Sequence, residues 1–256
     1  MNRTSNHRTG KLFRSAAIYR MEMPYTLPEM VQATKDVVKA NGLKSCYIRP
    51  LVIRGYGEMG LNPMLAPINV SIAVWPWGAY LGEEGLEHGV RAKVSSFRRN
   101  DPNAIPPAAK ACGQYLNSIL AKMEVVEAGY EEAILLNLQG YVADGAGENI
   151  FIVRDGVLYT PPTSAGALEG ITRNSILDLA RDFGIGAVEA NLVRTDVYLA
   201  DEAFFTGTAA EVVPIREVDD RVIGEPGPIT RKLQAKFFEI ASGQDEAYSQ
   251  WLEHVD

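Results

Sequence analysis

Cysteine and histidine are scarce in this sequence of 256 residues, which holds two cysteines and three histidines. Cys46 lies in a strand-like run and Cys112 lies beside a lysine, so the pair suits reduced, buried thiols better than a disulfide framework. Neither cysteine has a histidine near it in sequence, which gives a Cys/His nucleophile little support. The three histidines are scattered along the chain without metal-ligand spacing, and we predict no metal site.

Clusters of basic residues and long apolar runs are also absent from the sequence. A net charge of −7 and a pI near 5.2 argue against nucleic acid or an anionic membrane as the main partner, and favour a small charged metabolite. No apolar run approaches the roughly 18 residues that span a bilayer. Residues 1–10, MNRTSNHRTG, lack the apolar core of a signal peptide. We therefore expect a cytoplasmic protein.

Helical and strand patterns are mixed along the chain, which is typical of an α+β or α/β protein with two lobes. Helices are predicted at about 11–23, 28–42, 106–129, 172–184 and 229–242, and strands at 47–54, 68–77, 89–96, 133–138 and 187–193. Asn149–Tyr159 is predicted to be a hairpin, because Asp155-Gly156 is the strongest turn signal in the chain. Trp75–Gly85 mixes aromatic residues, proline and glycine, and is interpreted as a connection between lobes or a binding loop.

One lysine stands among small and apolar residues at the start of a predicted helix. It is Lys110, in Asn103–Leu116, NAIPPAAKACGQYL. Its neighbours offer no hydrated face and no carboxylate close in sequence, and desolvation favours the neutral amine that forms Schiff bases. The alternative is a lysine that snorkels from a helix end, with its stem on apolar surface and its head in water. Taken alone, the residue favours snorkelling, because most lysines are of this kind.

Two turns are candidates for binding an anion. In LEGITR, Leu168–Arg173, a loop runs into a helix, so the backbone N–H groups of Ile171 and Thr172 are predicted to point outward, as in phosphate sites. In TGTAA, Thr206–Ala210, glycine and small residues permit close backbone approach to an anion. The alternatives are that Thr172 caps its own helix and that the second segment is a simple strand turn.

Three other side chains are candidates for the same site. Asp144 could keep a ring nitrogen protonated, although an aspartate before glycine is more often a turn former. Arg49 could bind a carboxylate or lie on the solvent face of its strand, which is commoner for a lone arginine. Tyr115 is either a core aromatic or a hydroxyl in the cavity of Lys110. Together a Schiff-base lysine, an acid for a pyridinium nitrogen and two donor-rich turns are the parts of a pyridoxal phosphate site.

The ordered motifs resemble one enzyme family. They are YIRPLV, WPWGAYL, NAIPPAAKACGQYL, GYVADGAGENIF, LEGITR and FFTGTAAEVVPIR. In this order they resemble the branched-chain amino acid aminotransferases of the fold-type IV pyridoxal phosphate enzymes, over nearly the whole chain from about Lys11. The resemblance implies an α+β, two-domain fold like that of D-amino acid aminotransferase, with a small α/β domain and a larger, barrel-like mixed α/β domain. We assign the small domain to 1–76, the connection to 77–85 and the large domain to 86–256.

The resemblance also implies an activity and an assembly. The enzyme would transfer the amino group of leucine, isoleucine or valine to 2-oxoglutarate through pyridoxal 5′-phosphate. Its minimal unit would be a homodimer, with the site close to the subunit interface.

Residue roles follow from the matching positions. The implied cofactor-binding residues are Lys110, Tyr115, Asp144, Leu168, Ile171, Thr172, Thr208 and Lys11, and the implied substrate-binding residues are Tyr47, Arg49, Trp77, Thr208 and Ala209. Lys110 would be the Schiff-base lysine and general base, Tyr115 would bind the phenolic oxygen, and Asp144 would partner the ring nitrogen. The isoleucine and the two threonines would hold the phosphate, and the leucine would pack against the ring.

The implied substrate pocket serves two kinds of side chain. The backbone at Thr208 and Ala209 would bind the α-carboxylate of the substrate. Arg49 and Tyr47 would bind the distal carboxylate of glutamate or 2-oxoglutarate, and Trp77 would line the apolar pocket for a branched side chain.

Three features depart from the family pattern. Asp144 stands where the family usually has glutamate, and Lys11 stands where an arginine grips the phosphate. Family sequences begin about fifty residues earlier, and MNRTSNHRTG does not resemble the segment that contains the small domain's first strands. The alternatives to an active transaminase are therefore a truncated homologue that binds the cofactor or a partner without turnover, a D-amino acid aminotransferase and an aminodeoxychorismate lyase.

Overall fold

The chain forms two compact units. The computed structural model describes residues 5–78 and 80–255. One unit contains Met1–Gly78 together with Asp245–Asp256, and the other contains Ala79–Gln244. The division falls within the connection predicted at 77–85, whereas residues 245–256, assigned from the sequence to the large domain, group with the first unit.

The first unit is a two-stranded sheet with two helices. Its elements are α1 (Ser5–Ile18), α2 (Leu27–Ala40), β1 (Tyr47–Arg54), β2 (Ile68–Trp75) and a 3₁₀ segment (Glu246–Trp251). The strands are antiparallel, and Tyr47 is the partner of Trp75. Thr26 and Glu29 form a capping box at the start of α2, each side chain accepting a hydrogen bond from the other's backbone N–H. The box fixes where α2 begins.

The second unit is built on a mixed sheet of nine strands. Its helices are α3 (Gly82–His88), α4 (Gln114–Glu127), α5 (Ile171–Asp182), α6 (Arg194–Tyr198) and α7 (Pro228–Ala241), with a 3₁₀ turn at Thr163–Ala165. Its strands are β3 (Val90–Arg98), β4 (Glu132–Leu136), β5 (Val142–Gly145), β6 (Asn149–Arg154), β7 (Val157–Thr160), β8 (Ala187–Glu189), β9 (Glu202–Gly207), β10 (Glu211–Val218) and β11 (Arg221–Val222). The strand order is β5-β4-β3-β10-β9-β6-β7-β8, with β11 paired to β10. Parallel pairs join β3 to β4 and β10, and β7 to β8.

The central strands are buried because their sequences are apolar on both faces. β4, EAILL, is buried at every position, and β6, NIFIVR, is buried at all but its last. Phe151 of β6 and Phe204 of β9 stack with their ring centroids 5.1 Å apart. Helix α4 packs on β3 and β4, and α5 and α7 pack on β9. The rigid sheet therefore fixes the loops at the ends of β3, β5 and β9.

The predicted hairpin is confirmed. β6 and β7 are antiparallel neighbours, and the residues between them, Asp155 and Gly156, have φ values of 51° and 74°. Positive φ at both positions is the requirement of a type I′ turn, which suits the twist of the two strands.

The helix predicted at 106–129 starts later than expected. α4 begins at Gln114, and the Gln114 side chain donates hydrogen bonds to the carbonyls of Pro106 and Ala109, which hold the preceding residues as a loop. Lys110 therefore lies in a loop and is exposed, so the predicted position at the start of a helix is wrong. The same loop exposes Cys112, and Cys46 is only half-buried, so the expectation of two buried thiols is also wrong.

No helix within residues 5–78 and 80–255 combines the length and the apolar character needed to cross a membrane. Within the same residues, no group of three or more His, Cys, Asp or Glu side chains is arranged to hold a metal ion.

Candidate active site

Lys110 and Tyr115 lie close together around the start of α4. The Nζ atom of Lys110 is 5.5 Å from the centroid of the Tyr115 ring. Ala109 is fully buried beside the exposed lysine, which anchors the backbone at this point of the loop. The positive charge of Lys110 also favours the ionised form of Asp144. The structure thus brings the predicted lysine, tyrosine and acid together.

Asp144 is held by a buried arginine. The aspartate lies on β5 and is 7% exposed, while Arg99, one residue beyond β3, is 5% exposed. Arg99 donates from Nε and Nη2 to Oδ1 of Asp144, and from Nη2 to the carbonyl of Gly145 at 2.6 Å. Burial raises the pKa of Asp144, while the charge and hydrogen bonds of Arg99 and the backbone N–H of Leu168 act to lower it. Sequence reasoning missed Arg99, although a buried acid requires such a partner.

The segment before α5 links this acid to a helix N-terminus. Leu168 is half-buried, its N–H stabilises the Asp144 carboxylate, and its carbonyl accepts a hydrogen bond from Nδ2 of Asn149 at 2.8 Å. Gly170 is the N-cap residue of α5, and a Cβ at this position would overlap Oδ1 of Asn149. Only glycine lets the chain pass this close to the asparagine.

The N-terminus of α5 is suited to an anion. Gly170 forms no side-chain cap hydrogen bond, and the first turn contains no acidic residue. Thr172 is buried within the helix, so the alternative that Thr172 caps α5 is wrong. The N–H groups at Ile171 and Thr172 therefore face a terminus whose dipole favours negative charge.

The turn between β9 and β10 lies on the same side as the α5 N-terminus. Asn149 of β6 is the sheet partner of Thr206, so the asparagine that contacts Leu168 also adjoins this turn. The Oγ1 atom of Thr206 is buried and has no hydrogen-bond partner in the described part of the chain. After Gly207 ends β9, Thr208 is exposed and the following alanine, Ala209, is half-buried.

Three of the predicted substrate-binding residues, Tyr47, Arg49 and Trp77, lie together in the first unit. The guanidinium carbon of Arg49 lies 5.3, 5.1 and 5.9 Å from the ring centroids of Tyr47, Trp75 and Trp77. The Tyr47 and Trp77 rings are 4.5 Å apart in an edge-to-face arrangement. The structure therefore brings together Tyr47, Arg49 and Trp77 and adds Trp75, which the sequence prediction omitted. Lys11 lies in α1 of this unit and is half-buried.

The motif GYVADGAGENIF contains a second acid that the sequence prediction did not select. Glu148 is 6% exposed, which is nearly as buried as Asp144. Glu148 follows Asp144 by four residues, but β5 ends between them, so no helix or strand periodicity related the two acids.

Comparison with known proteins identifies the family. The family model described as amino-transferase class IV matches residues 9–218, well over half of the chain. The chain belongs to the class IV aminotransferase family. The resemblance found from the motifs is confirmed.

This class IV aminotransferase has close relatives among enzymes of known name. It is 51% identical over 245 residues to a branched-chain-amino-acid aminotransferase of Pseudomonas aeruginosa, a match that covers 95% of the chain and 80% of the relative. It is 48% identical over 249 residues to the enzyme of that name from Escherichia coli K12, covering 96% of the chain and 81% of the relative.

Solved structures agree with the fold. The crystal structure of the Escherichia coli branched-chain amino acid aminotransferase has a TM-score of 0.96 and 46% identity, and the match covers 100% of this chain and 84% of that one. The branched-chain amino acid aminotransferase of Thermobaculum terrenum, solved in its PLP-form, has a TM-score of 0.94 and 37% identity, with coverage of 100% and 83%. The expected α+β fold of type IV is confirmed for this class IV aminotransferase.

Proposed function

We propose that this class IV aminotransferase moves the amino group of leucine, isoleucine or valine to 2-oxoglutarate with pyridoxal 5′-phosphate. The observation that carries the proposal is the position of Leu168. Its N–H stabilises Asp144, and two residues later Gly170 opens the uncapped N-terminus of α5. An acid for a ring nitrogen and a cradle for a phosphate are therefore joined by one short segment. The names of both close relatives support the choice of substrate.

The residues of the second unit fit a phosphorylated pyridine. The α5 N-terminus has no acid in its first turn, and the buried Oγ1 of Thr206 lacks a partner among the described residues beside the second predicted phosphate turn. Ile171, Thr172 and Thr208 would hold the phosphate, and Leu168 would pack against the ring. In the first unit, Lys11 would add a positive charge for the phosphate, as a point charge without the forked contact of an arginine.

The cofactor, when bound, withdraws electrons from the substrate's α-carbon and carries the amino group between the two half-reactions. Lys110 would bind the cofactor through Nζ and move a proton at the α-carbon of the substrate. Asp144, made rigid by Arg99, would hold a proton at the ring nitrogen, and Tyr115 would donate a hydrogen bond to the phenolic oxygen.

Arg49 and its aromatic neighbours suit a pocket that alternates between two substrates. The cation lies against three aromatic rings, so the same patch offers charge for a distal carboxylate and apolar surface for a branched side chain. Tyr47 would assist the arginine, and Trp77 would line the apolar wall. In the second unit, the backbone N–H groups of Thr208 and Ala209 would bind the α-carboxylate.

We also propose that the working unit is a homodimer that uses α4. One face of this helix carries five exposed apolar side chains, with exposed fractions of 69%, 51%, 47%, 54% and 52% for Leu116, Ile119, Leu120, Met123 and Val126. The spacing of three and four residues makes one continuous stripe. Burying such a stripe against a second copy removes a large apolar area from water. Tyr115 adjoins the stripe, which supports a site close to the interface.

A cytoplasmic role on small metabolites belongs to the same proposal. The net charge of −7 disfavours nucleic acid, and the two cysteines are unpaired.

The test is to incubate the purified chain with pyridoxal phosphate, leucine and 2-oxoglutarate and to measure the formation of glutamate. We expect kcat/KM for leucine to exceed that for D-alanine by at least about 100-fold. The proposed pocket would discriminate substrates by their side chain and by the configuration of their α-carbon. A preference for D-alanine would contradict the branched-chain assignment. Binding of the cofactor without any turnover would favour the truncated, non-catalytic homologue.

Substitution of the lysine tests the site itself. Lys110→Ala should lose both turnover and the visible absorption band of the bound cofactor. Lys236→Ala is the matched control, because Lys236 pairs with Glu239 on α7. A Lys110→Ala protein that kept both properties would overturn the assignment of this lysine.

A further inference from the structure

Two buried glutamates adjoin the site, and a single lysine pairs with only one of them. Glu132 is fully buried and Glu148 is 6% exposed. Nζ of Lys122 lies 2.7 Å from Oε2 of Glu132. No basic side chain in the described part of the chain forms an ion pair with Glu148. A carboxylate in this position would carry a buried, unpaired charge.

Glu148 is packed by backbone on two sides. Its Oε2 accepts a hydrogen bond from the N–H of Gly147 at 2.9 Å, and a Cβ at Gly145 would lie 2.9 Å from the same oxygen. A Cβ at Gly207 would lie 3.6 Å from its Cγ. The carboxyl group therefore sits between the end of β5, next to Asp144, and the end of β9. Its Cγ lies near the predicted phosphate turn, and the charge of Asp144 acts on its carboxyl group.

Charged groups on three elements act on Glu148. Glu132 on β4 and Asp144 on β5 disfavour its ionisation, and Lys122 on α4 favours it. Tyr80, before α3, faces the cluster, and burial together with the charges of Glu148 and Glu132 raises its pKa, so this phenol is neutral. Burial first, and then Glu132, raise the pKa of Glu148 to about 8.

We propose that Glu148 is a positioning residue of the transamination site: as a neutral carboxylic acid it packs between the ends of β5 and β9 and adds no second negative charge to the surroundings of Asp144. The inference rests on the proposed function for its catalytic consequence. A neutral carboxylic acid fits the pocket because it keeps an oxygen for the Gly147 N–H and adds no charge. Loss of the proton adds a negative charge beside Asp144 in a medium of low dielectric. That repulsion favours protonation of Asp144, which then cannot hold a proton at the ring nitrogen by charge.

The protonation of Glu148 can be measured without turnover. Protein labelled with carbon-13 at the glutamate carboxyl carbons is titrated by NMR, with and without pyridoxal phosphate. Glu148→Asp identifies the signal, because this variant lacks the labelled carbon and keeps a carboxyl group. We expect a midpoint near pH 8 for Glu148. A Glu148 midpoint below about pH 6 would overturn the inference.

The pH dependence of kcat/KM for leucine tests the positioning role. With each profile normalised at pH 7, we expect wild type to fall by about tenfold at pH 9, since one group with a pKa near 8 loses its proton in that range. Glu148→Gln should remove this decline, Glu148→Asp should retain a decline, and Glu127→Gln should follow wild type. An unchanged tenfold decline in Glu148→Gln would overturn the positioning role.

The two measurements separate this inference from the proposed function. If the protein turns over leucine but the Glu148 midpoint lies below about pH 6, only the inference about Glu148 is overturned. A midpoint near pH 8 in a protein that does not turn over leucine supports the retained proton and overturns the role in transamination.

Discussion

Arg99 donates two hydrogen bonds to one oxygen of Asp144, from Nε at 2.8 Å and from Nη2 at 2.5 Å. The same guanidinium donates from Nη1 to Oγ of Ser118 at 3.1 Å. Arginine and aspartate are both buried, so neither charge is hydrated when its partner is lost. The pair also fixes the direction of the Asp144 carboxylate.

Removal of the arginine should destabilise the fold. We expect Arg99→Met to lower the free energy of unfolding by about 3–5 kcal/mol, because it leaves Asp144 buried and unpaired. Urea unfolding of the two variants Arg99→Met and Arg98→Met provides the comparison, since Arg98 is the exposed neighbour. Equal stability of these variants would show that the buried pair does not hold the second unit together.

A methyl group at Gly170 should disturb the start of α5. The backbone there, with φ −69° and ψ 145°, is open to any residue, so the obstacle is the overlap with Oδ1 of Asn149. We expect Gly170→Ala to cost about 1–3 kcal/mol and to weaken binding of pyridoxal phosphate, measured by urea unfolding and fluorescence titration. Gly186→Ala is the control, because its added Cβ meets only ordinary contacts at 3.7 Å. Matching cofactor affinities in the two variants would contradict the prediction.

The proton on Glu148 should make stability fall as pH rises. The folded-state pKa of about 8 exceeds the ordinary value of 4.5, so the folded chain binds a proton that the unfolded chain has released. The associated stability is fully present below pH 4.5 and is lost as pH rises through 8. Relative to Glu148→Gln, wild type should lose roughly 1.4 kcal/mol per pH unit between these limits.

Urea unfolding at pH 5.5 and 7.5 measures this loss. We expect the stability difference between wild type and Glu148→Gln to change by roughly 2–3 kcal/mol over this range. Glu127→Gln, which replaces an exposed glutamate, is measured in parallel as the control variant. A constant difference for Glu148→Gln would show that Glu148 ionises normally.

A charge on the α4 stripe should dissociate the proposed dimer. We expect Leu120→Glu to reduce the mass measured by light scattering from twice the chain mass of 28.0 kDa to that of one chain. Folding should persist, because Leu120 is 47% exposed within the chain. Val222→Glu is the control, since Val222 is an exposed apolar residue on β11. If both variants keep the mass of a dimer, the interface does not involve the α4 stripe.

Local signals in the sequence predicted much of the fold. The boundaries of β1 follow from its apolar and β-branched residues, and the hairpin turn follows from Asp155-Gly156. The predicted start of α4 was wrong because a side-chain contact decided it. The Gln114 side chain folds back onto the carbonyl of Pro106 and competes with helix formation, a contact that no periodicity reports.

The sequence indicated the motif residues of the candidate site but not the residues that pack against them. Asp144, Leu168 and the α5 N-terminus each had a local motif. Arg99 lies 45 residues before its partner, so no local spacing indicated the pair. Glu148 was visible in the sequence as a second acid, but its raised pKa depends on burial and on Glu132 of β4, which the sequence does not indicate.

The grouping of residues 245–256 with the first unit has a consequence for limited proteolysis. The backbone passes between the two units twice, once after Gly78 and once after Gln244. A protease that cuts only one of these crossings leaves both units joined by a peptide chain. Two cuts are needed to release a fragment that contains Ala79–Gln244, so the appearance of this fragment should lag behind the first cleavage.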